Sequence, residues 1–248
     1  MALQPWRTGT INKVLNETYN TRRLFIKVND VDVFDFKPGQ FVTLDLPIHE
    51  KVNKRWRSYS IASWPDGSNV FELLIVLFEG GLGTTYLFND VAVGSTLTFR
   101  GPQGVFTLPS TIESDLFFIS TGTGIAPFRS MVQYIRLKKI AHKNVYLVFG
   151  CRTQKDLLYF EELKELEGQL ENFRFIPTLS REDWEGRTGY VHSIYESICK
   201  ENIATVKNDE LPPAAFYLCG WKAMIDDAKE KIIGLGYDRR DIHLELYG

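Results

Sequence analysis

The sequence predicts two domains, an antiparallel β-barrel followed by an α/β domain built on a parallel sheet. Through residue 108, short segments rich in β-branched and aromatic residues are bounded by Gly, Pro, Asn and Asp, which is typical of antiparallel strands. After Pro109, continuous apolar runs alternate with helical stretches, which is typical of a parallel sheet covered by helices. We therefore expect a first domain over residues 1–108 and a second over residues 109–248.

The first domain contains six predicted strands and almost no helical periodicity. The strands lie at residues 8–17, 21–28, 40–46, 57–63, 69–78 and 95–101. Because so many short strands would leave exposed edges in an open sheet, we expect them to close into a barrel. The one helical pattern in this domain lies at residues 83–91.

The second domain alternates strands with helices, which favours a doubly wound sheet. The strands are predicted at residues 115–120, 144–150, 173–179, 214–220 and 241–248. The helices are predicted at residues 127–139, 155–168, 191–202 and 224–236.

Composition and charge narrow the class of protein. A chain with 44% hydrophobic and 24% charged residues has the composition of a globular protein, and a net charge of −2 argues against a nucleic-acid partner. Three scattered cysteines exclude a four-cysteine iron–sulfur site within this chain and suggest no disulfide framework. We expect no metal site. No stretch approaches the ~20 apolar residues of a membrane span, so we expect a soluble, cytoplasmic protein.

The segment RSYS at residues 57–60 places a cation, an aromatic ring and two hydroxyl groups on one strand. Arg57 can bind a pyrophosphate through paired hydrogen bonds, and Tyr59 can pack on a planar ring system. Ser58 and Ser60 supply the hydroxyl groups. Taken alone, four such residues are more typical of an ordinary exposed strand.

The segment GGLGTTYL at residues 80–87 combines a glycine-rich turn with the start of the predicted helix, where backbone N–H groups bind anions. An ordinary glycine turn is the alternative. The strand between the two motifs would add main-chain contacts through Ile75 and Val76. Together the motifs suit a flavin dinucleotide, which presents a planar ring and a pyrophosphate. The flavin contacts expected from this turn are Gly83, Thr84 and Thr85.

The turn TGTGIAP at residues 121–127 joins a predicted buried strand to a predicted helix. Its glycines permit a tight turn and a close approach to a phosphate, and its proline suits the first turn of a helix. This placement predicts a dinucleotide site, although the turn lacks the GxGxxG fingerprint. The contacts expected from it are Thr121, Gly122, Thr123, Gly124 and Pro127.

The segment SRED at residues 180–183 bears on the choice of dinucleotide. An arginine after this strand suits the 2′-phosphate of NADP, whereas a carboxylate suits the ribose hydroxyls of NAD. Ser180 and Arg181 therefore favour NADP(H), and Arg152 can reach the same phosphate from the neighbouring strand. Glu182 and Asp183 argue in the opposite direction.

Seven motifs occur in the order found in the ferredoxin–NADP⁺ reductase family, which this chain resembles along its whole length, most closely in its bacterial type. They are RSYS, Gly81-x-x-Thr84-x-x-Leu87, GPQGVF (101–106), TGTGIAP, GCR (150–152), SRE (180–182) and CGWKAM (219–224). The resemblance implies an FAD-binding barrel followed by a pyridine-nucleotide-binding domain, with noncovalent FAD and NADP(H) as cofactors. It also implies a flavoprotein oxidoreductase.

The resemblance further implies an active centre of four residues. Ser60 would lie beside flavin N5, and Cys219 would pack near the reacting nicotinamide carbon. Glu245 is a candidate proton relay through Ser60, and Tyr247 would cover the flavin ring face that nicotinamide must occupy. A buried apolar thiol and a solvated carboxylate are the alternatives for Cys219 and Glu245.

The electron acceptor is expected to be a separate protein, ferredoxin or flavodoxin, because the chain contains no ferredoxin or haem domain. The segment KVNKRWR at residues 51–57 carries four cations that could steer an acidic partner, or could serve only as a solubilising loop. The alternative function is an NADH-dependent flavin reductase serving an oxygenase or a cytochrome. We expect a monomer.

Overall fold

The structure is a computed structural model that describes residues 4–206 and 211–247. The strands are β1 (Trp6–Thr18), β2 (Thr21–Val28), β3 (Phe41–Asp45), β4 (Trp56–Ser60), β5 (Val70–Val76), β6 (Thr96–Gln103), β7 (Asp115–Thr121), β8 (Val145–Cys151), β9 (Phe173–Leu179), β10 (Arg187–Thr188), β11 (Ala214–Trp221) and β12 (Ile242–Tyr247). The helices are α1 (Leu82–Asn89), α2 (Ala126–Lys138), α3 (Phe160–Glu167), α4 (Val191–Thr205) and α5 (Lys222–Gly234). Short 3₁₀ turns lie at Val52–Lys54, Gly122–Ile125, Gln154–Asp156 and Arg239–Asp241.

Two compact units are distinguished by their internal packing. The first runs to Leu108 and also includes Ala126–Tyr134, the first part of α2. The second comprises Pro109–Ile125 and the chain from Ile135 onward. The predicted boundary after residue 108 remains a prediction, and the sequence did not indicate that α2 would be shared.

The first unit is a six-stranded antiparallel sheet in the order β4-β3-β6-β1-β2-β5. An isolated bridge between Ile61 and Leu73 joins its two edges, and the N–H of Ala62 donates to the carbonyl of Glu72 at 2.8 Å. The predicted antiparallel barrel is therefore confirmed. Its interior is apolar, with three tightly packed rings at its centre: Phe34, Phe71 and Phe99.

A buried ion cluster lies inside the first unit. Glu72 on β5 is 2% exposed and accepts hydrogen bonds from Arg23 on β2 at 2.7 and 3.0 Å. Arg129 on α2 is 3% exposed and donates to Glu72 at 3.0 Å and to the carbonyl of Ala62 at 2.9 Å. The guanidinium of Arg129 also lies 5.2 Å from the centre of the Trp64 ring. This cluster is one of the contacts that tie the first part of α2 to the barrel, together with the packing of Phe128 on Phe106.

The second unit is a six-stranded sheet in the order β10-β9-β8-β7-β11-β12, and every strand pair in it is parallel. The predicted α/β domain is therefore confirmed. The chain runs outward from β7 through β8 and β9 and then returns to place β11 on the other side of β7. This reversal is a topological switch point, where ligands bind in open α/β sheets. Within the described ranges, no helix is long and apolar enough to cross a membrane.

Candidate functional site

Strand β4 carries the RSYS motif and sorts its side chains onto two faces. Tyr59 packs partly buried against the barrel core, and burial raises the pKa of its phenol to about 12 while the nearby charge of Arg57 opposes the rise. On the other face, Ser58 shares a 3.0 Å hydrogen bond with the hydroxyl of Thr43, and Ser60 is 3% exposed. Arg57 and Tyr59 thus share one face of the strand.

Arg57 packs against the first turn of α1. A Cβ at Gly83 would lie 3.0 Å from Cγ and 3.2 Å from Nε of Arg57, so the glycine makes room for this side chain. The guanidinium donates to the carbonyls of Lys54 at 3.1 Å and Trp56 at 2.7 Å. The structure therefore brings RSYS and the glycine turn together, with a fixed cation beside the N-terminus of a helix. Such an arrangement suits an anion.

Thr84 closes the glycine loop. Its hydroxyl accepts a hydrogen bond from the N–H of Phe78 at 3.1 Å and donates to the carbonyl of Gly81 at 3.1 Å. Thr85 is exposed, and its N–H makes the first helical bond, to Gly81 at 2.9 Å. The Thr84 hydroxyl therefore already has a local structural role. The phosphate contacts expected of Thr84 and Thr85 remain predictions.

Ile75 and Val76 lie on β5 after Leu73, past the bridge that closes the barrel. Ile75 is 1% exposed and contributes its side chain to the core. The main-chain contacts expected of Ile75 and Val76 remain predictions.

In the second unit, the TGTG turn packs against the end of β11. A Cβ at Gly124 would lie 2.3 Å from the carbonyl oxygen of Cys219, closer than any side chain can approach. Gly122 has φ +54°, and nothing lies within 4 Å of where a Cβ would be. The backbone conformation of the turn therefore favours glycine here, whereas the packing does not. The hydroxyl of Thr121 accepts a hydrogen bond from the N–H of Trp221 at 3.4 Å. Pro127 lies in the first turn of α2, as predicted.

The close packing of Gly124 against β11 revises the reason for this glycine. The sequence suggests that both glycines allow close approach to a phosphate. In the structure, Gly124 allows close approach to the backbone of Cys219, while the N–H groups of residues 122–125 lie in a short 3₁₀ turn at the switch point.

Three of the four predicted catalytic residues meet within the second unit. Cys219 on β11 stands opposite Glu245 on β12, and Trp221 stands opposite Tyr247. Cys219 is fully buried, and this burial raises the pKa of its thiol well above the usual value. The charge of Glu245 also raises the pKa, whereas a side-chain hydrogen bond with Tyr247 lowers it. Cys219 therefore remains a neutral thiol at physiological pH. Ser60, the fourth residue, belongs to the first unit.

The loops that follow β8 and β9 lie side by side and carry the predicted 2′-phosphate residues. The N–H of Arg181 donates to the carbonyl of Arg152 at 2.9 Å, and both side chains are exposed. The N–H and hydroxyl of Ser180 donate to the carbonyl of Cys151 at 3.0 and 3.2 Å. Two exposed arginines on adjoining loops are a donor set that suits a phosphate group.

Sequence reasoning missed one residue in these loops. Glu182 appears in the sequence only as a carboxylate that argues against NADP(H). In the structure it accepts a 2.8 Å hydrogen bond from the N–H of Gln154, in the loop after β8. The pattern Thr153-x-x-Asp156 is the signal in the sequence for the capped turn that Glu182 binds.

Comparison with known proteins agrees with this architecture. An oxidoreductase FAD-binding domain model matches residues 9–108, and an oxidoreductase NAD-binding domain model matches residues 118–230. The ferredoxin–NADP reductase B of Sorangium cellulosum is 36% identical over 229 residues, which cover 91% of each chain. The chain belongs to the ferredoxin–NADP reductase family. The reductase is thus an FAD- and NAD(P)-binding oxidoreductase, as its motif order predicts.

Other relatives of the reductase are electron-transfer components of oxygenases. The component of the anthranilate 1,2-dioxygenase of Acinetobacter baylyi is 33% identical over 80% of this chain, which spans 54% of that protein. Among solved structures, the Amycolatopsis cytochrome P450 reductase GcoB has a TM-score of 0.84 at 26% identity, over 99% of this chain and 71% of that one. A ferredoxin NADP⁺ reductase from Neisseria gonorrhoeae has the same fold, with a TM-score of 0.80 at 24% identity over 97% and 98% of the two chains.

The predicted cofactors, FAD and NADP(H), are supported by both domain models and by the Sorangium relative. The residues present fit them. In the first unit, Gly83 leaves room for the side chain of Arg57, which lies beside the first turn of α1 and supplies a cation for a pyrophosphate. In the second, the exposed pair Arg152 and Arg181 supplies the donors that a phosphate needs.

Replacing Arg57 with alanine is expected to weaken FAD binding about 10- to 100-fold, since a hydrogen bond to a charged group contributes about 1.5–3 kcal/mol. The ratio of visible flavin absorbance to protein absorbance in the purified variant measures this loss. Arg55→Ala is the matched control, because Arg55 lies two residues before Arg57 but pairs with Asp45 at 2.8 Å. Equal flavin content in the two variants would remove Arg57 from the flavin site.

Proposed function

We propose that this reductase passes electrons between NADPH and a separate one-electron carrier, ferredoxin or flavodoxin. The observation that carries the NADPH assignment is the adjacency of the exposed Arg152 and Arg181 across the β8 and β9 loops. The carrier assignment is supported by the Sorangium relative, which this chain matches over 91% of both lengths.

FAD, when bound, takes up two electrons as a hydride and releases them singly. The chain supplies binding and orientation. We propose that Arg57 and the N-terminus of α1 neutralise the pyrophosphate, that Tyr59 packs on the flavin, and that the N–H groups after β7 bind the phosphates of NADPH. These contacts rest on charge and dipole complementarity.

We propose that Ser60 hydrogen-bonds the flavin ring and that Cys219, Glu245 and Tyr247 serve the nicotinamide side. A neutral, fully buried Cys219 offers a small apolar surface to the nicotinamide instead of a nucleophile. Glu245 would hold or move a proton, and Tyr247 would cover the ring until nicotinamide replaces it. The side-chain hydrogen bond between Tyr247 and Cys219 supports a shared role for these two residues.

The loop at residues 51–57 is the candidate surface for an acidic carrier. Lys51 and Lys54 are exposed, whereas Arg55 is paired with Asp45 and Arg57 donates to two carbonyls. Two of the four cations are therefore held by intramolecular contacts. We infer that Lys51 and Lys54 contribute most of the steering, which should weaken as ionic strength rises.

A second candidate is an NADH-dependent reductase component of an oxygenase. The similarity to the anthranilate dioxygenase component and to the Pseudomonas aeruginosa glycine betaine monooxygenase reductase subunit favours it. The chain spans 54% of the length of the first of these proteins and 66% of the length of the second.

The proposed function is tested by measuring how the purified flavoprotein reduces a panel of oxidised electron carriers. NADPH oxidation is followed with ferredoxins, flavodoxins and oxygenase components as acceptors, and each assay is repeated with NADH. We expect a higher kcat/KM with NADPH and turnover with a ferredoxin or flavodoxin. Turnover with an oxygenase component alone, with NADH preferred, would establish the second candidate instead.

Replacing Arg181 with alanine is expected to raise the KM for NADPH about 30-fold and the KM for NADH less than about twofold, because only NADPH carries the 2′-phosphate. Steady-state reduction of ferricyanide with each coenzyme measures both values. Arg174→Ala, which removes an exposed cation on the preceding strand β9, is the control and should change neither. Equal rises with both coenzymes would mean that the 2′-phosphate is bound elsewhere.

A further inference from the structure

Glu182 ties together the two loops that carry the arginines. Its Oε2 accepts a hydrogen bond from the N–H of Gln154 at 2.8 Å, which joins the loop after β9 to the loop after β8. Arg181 directly precedes Glu182, Arg152 lies two residues before Gln154, and the two arginines share their own backbone hydrogen bond at 2.9 Å. The two loops are thus fastened at both the arginines and the residues that follow them.

The partner turn at residues 153–156 is itself well fixed. The N–H and the hydroxyl of Thr153 both donate to Oδ2 of Asp156, at 3.1 and 2.9 Å. This capping box holds the turn closed and orients the N–H of Gln154. The carboxylate of Glu182 therefore binds a turn that is closed by its own hydrogen bonds.

The hydrogen bond from the N–H of Gln154 shows which way this carboxylate faces. Burial, together with the neighbouring charges of Asp156 and Glu182, raises the pKa of the Cys151 thiol to about 12. Glu182 is half-buried, whereas Arg152, Arg181 and Asp183 are exposed. The negative charge of Glu182 is directed at the turn, while the positive charges face solvent.

We propose that Glu182 is a positioning residue that sets the spacing of Arg152 and Arg181 for the 2′-phosphate of NADPH, and is not a ligand of the ribose hydroxyls. This inference rests on the proposed use of NADPH. This role of Glu182 explains why a carboxylate directly after Arg181 does not favour NADH. Oε2 of Glu182 already accepts a hydrogen bond from the backbone N–H of Gln154.

Three variants separate the hydrogen bond from the charge. Glu182→Ala removes both, Glu182→Gln keeps an oxygen that can accept from the N–H of Gln154, and Asp183→Asn removes an exposed charge one residue away. We expect Glu182→Ala to raise the KM for NADPH about tenfold, with kcat and the KM for NADH changed less than about twofold. Both the Gln and the Asn variants should stay within about twofold of the wild-type protein for NADPH.

Hydrogen exchange at the Gln154 amide provides a readout that needs no coenzyme. In the purified flavoprotein, Glu182→Ala should accelerate this exchange about tenfold, and Glu182→Gln should not. Unchanged exchange in Glu182→Ala would overturn the inference. So would equal rises of both KM values, or a rise in the KM for NADH alone, which would place Glu182 on the ribose.

The exchange experiment also distinguishes the two possible failures. If the reductase prefers NADH and Arg181→Ala changes both coenzymes equally, the proposed function fails even though exchange at Gln154 responds to Glu182. If Arg181→Ala affects NADPH selectively but Glu182→Ala does not, the proposed function stands and the positioning role is overturned.

Discussion

Replacing Gly124 with alanine is expected to raise the KM for NADPH at least tenfold and to destabilise the second unit by about 3 kcal/mol, at the upper end of the range for overpacking. The added Cβ would lie 2.3 Å from the carbonyl oxygen and 2.7 Å from the carbonyl carbon of Cys219. Both are backbone atoms of strand β11, which is paired on both sides with β7 and β12, so they cannot rotate away as a side chain would. Either the TGTG turn or the end of β11 must move.

This effect should be confined to the nucleotide side. Flavin content should be unchanged, because the residues assigned to the flavin, such as Arg57 and Gly83, lie in the first unit. Thermal unfolding and the KM for NADPH together measure the change. Gly234→Ala at the end of α5 is the matched control, since nothing lies within 4 Å of its added Cβ, and it should be neutral or stabilising by up to about 1 kcal/mol. If Gly124→Ala resembled this control, the close packing of the turn on β11 would be wrong.

Replacing Glu72 with alanine is expected to lower the free energy of unfolding by about 3–5 kcal/mol, because removing one partner of a buried ion pair leaves an uncompensated charge. Glu72 is 2% exposed and lies between Arg23 and Arg129, with contacts of 2.7 and 3.0 Å. After the substitution, Arg129 at 3% exposure would retain its hydrogen bond to Ala62 but lose its ion pair with Glu72.

Chemical denaturation followed by tryptophan fluorescence measures this loss, since Trp64 lies beside the guanidinium of Arg129. Asp30→Ala is the control, because Asp30 forms an ion pair with Arg7 at 3.3 Å on the surface of the same barrel and is 55% exposed. Surface pairs contribute about 1 kcal/mol or less. A loss below about 1 kcal/mol in Glu72→Ala would mean that the buried cluster does not stabilise the barrel.

The architecture could be predicted from the sequence because apolar residues repeat with different periods in strands and in helices. The apolar run at residues 115–120 reads as a strand buried on both faces, and β7 occupies Asp115–Thr121. Residues 155–168 read as one helix, yet α3 begins only at Phe160, after Tyr159 at φ +52°. The preceding residues form the capped turn at Gln154–Asp156. Periodicity does not detect a side chain in another loop that binds this turn.

The flavin and nucleotide motifs could be found from residue type and spacing, but their internal partners could not. The sequence predicts that Arg57 and Thr84 bind a cofactor, whereas only the structure shows that Thr84 closes its own loop. Glu182 illustrates the same limit, since a carboxylate next to an arginine has no defined role until its hydrogen-bond donor is known.

By itself the sequence determined the order of the elements, the family and the two cofactors, because these depend on short segments in which period, turn residues and charge are local. The tertiary structure alone decided why Gly124 must be a glycine, which residues neutralise Glu72, and which way Glu182 faces. Each of these depends on atoms brought together from distant parts of the chain, where a few tenths of an ångström or one buried charge decides the outcome.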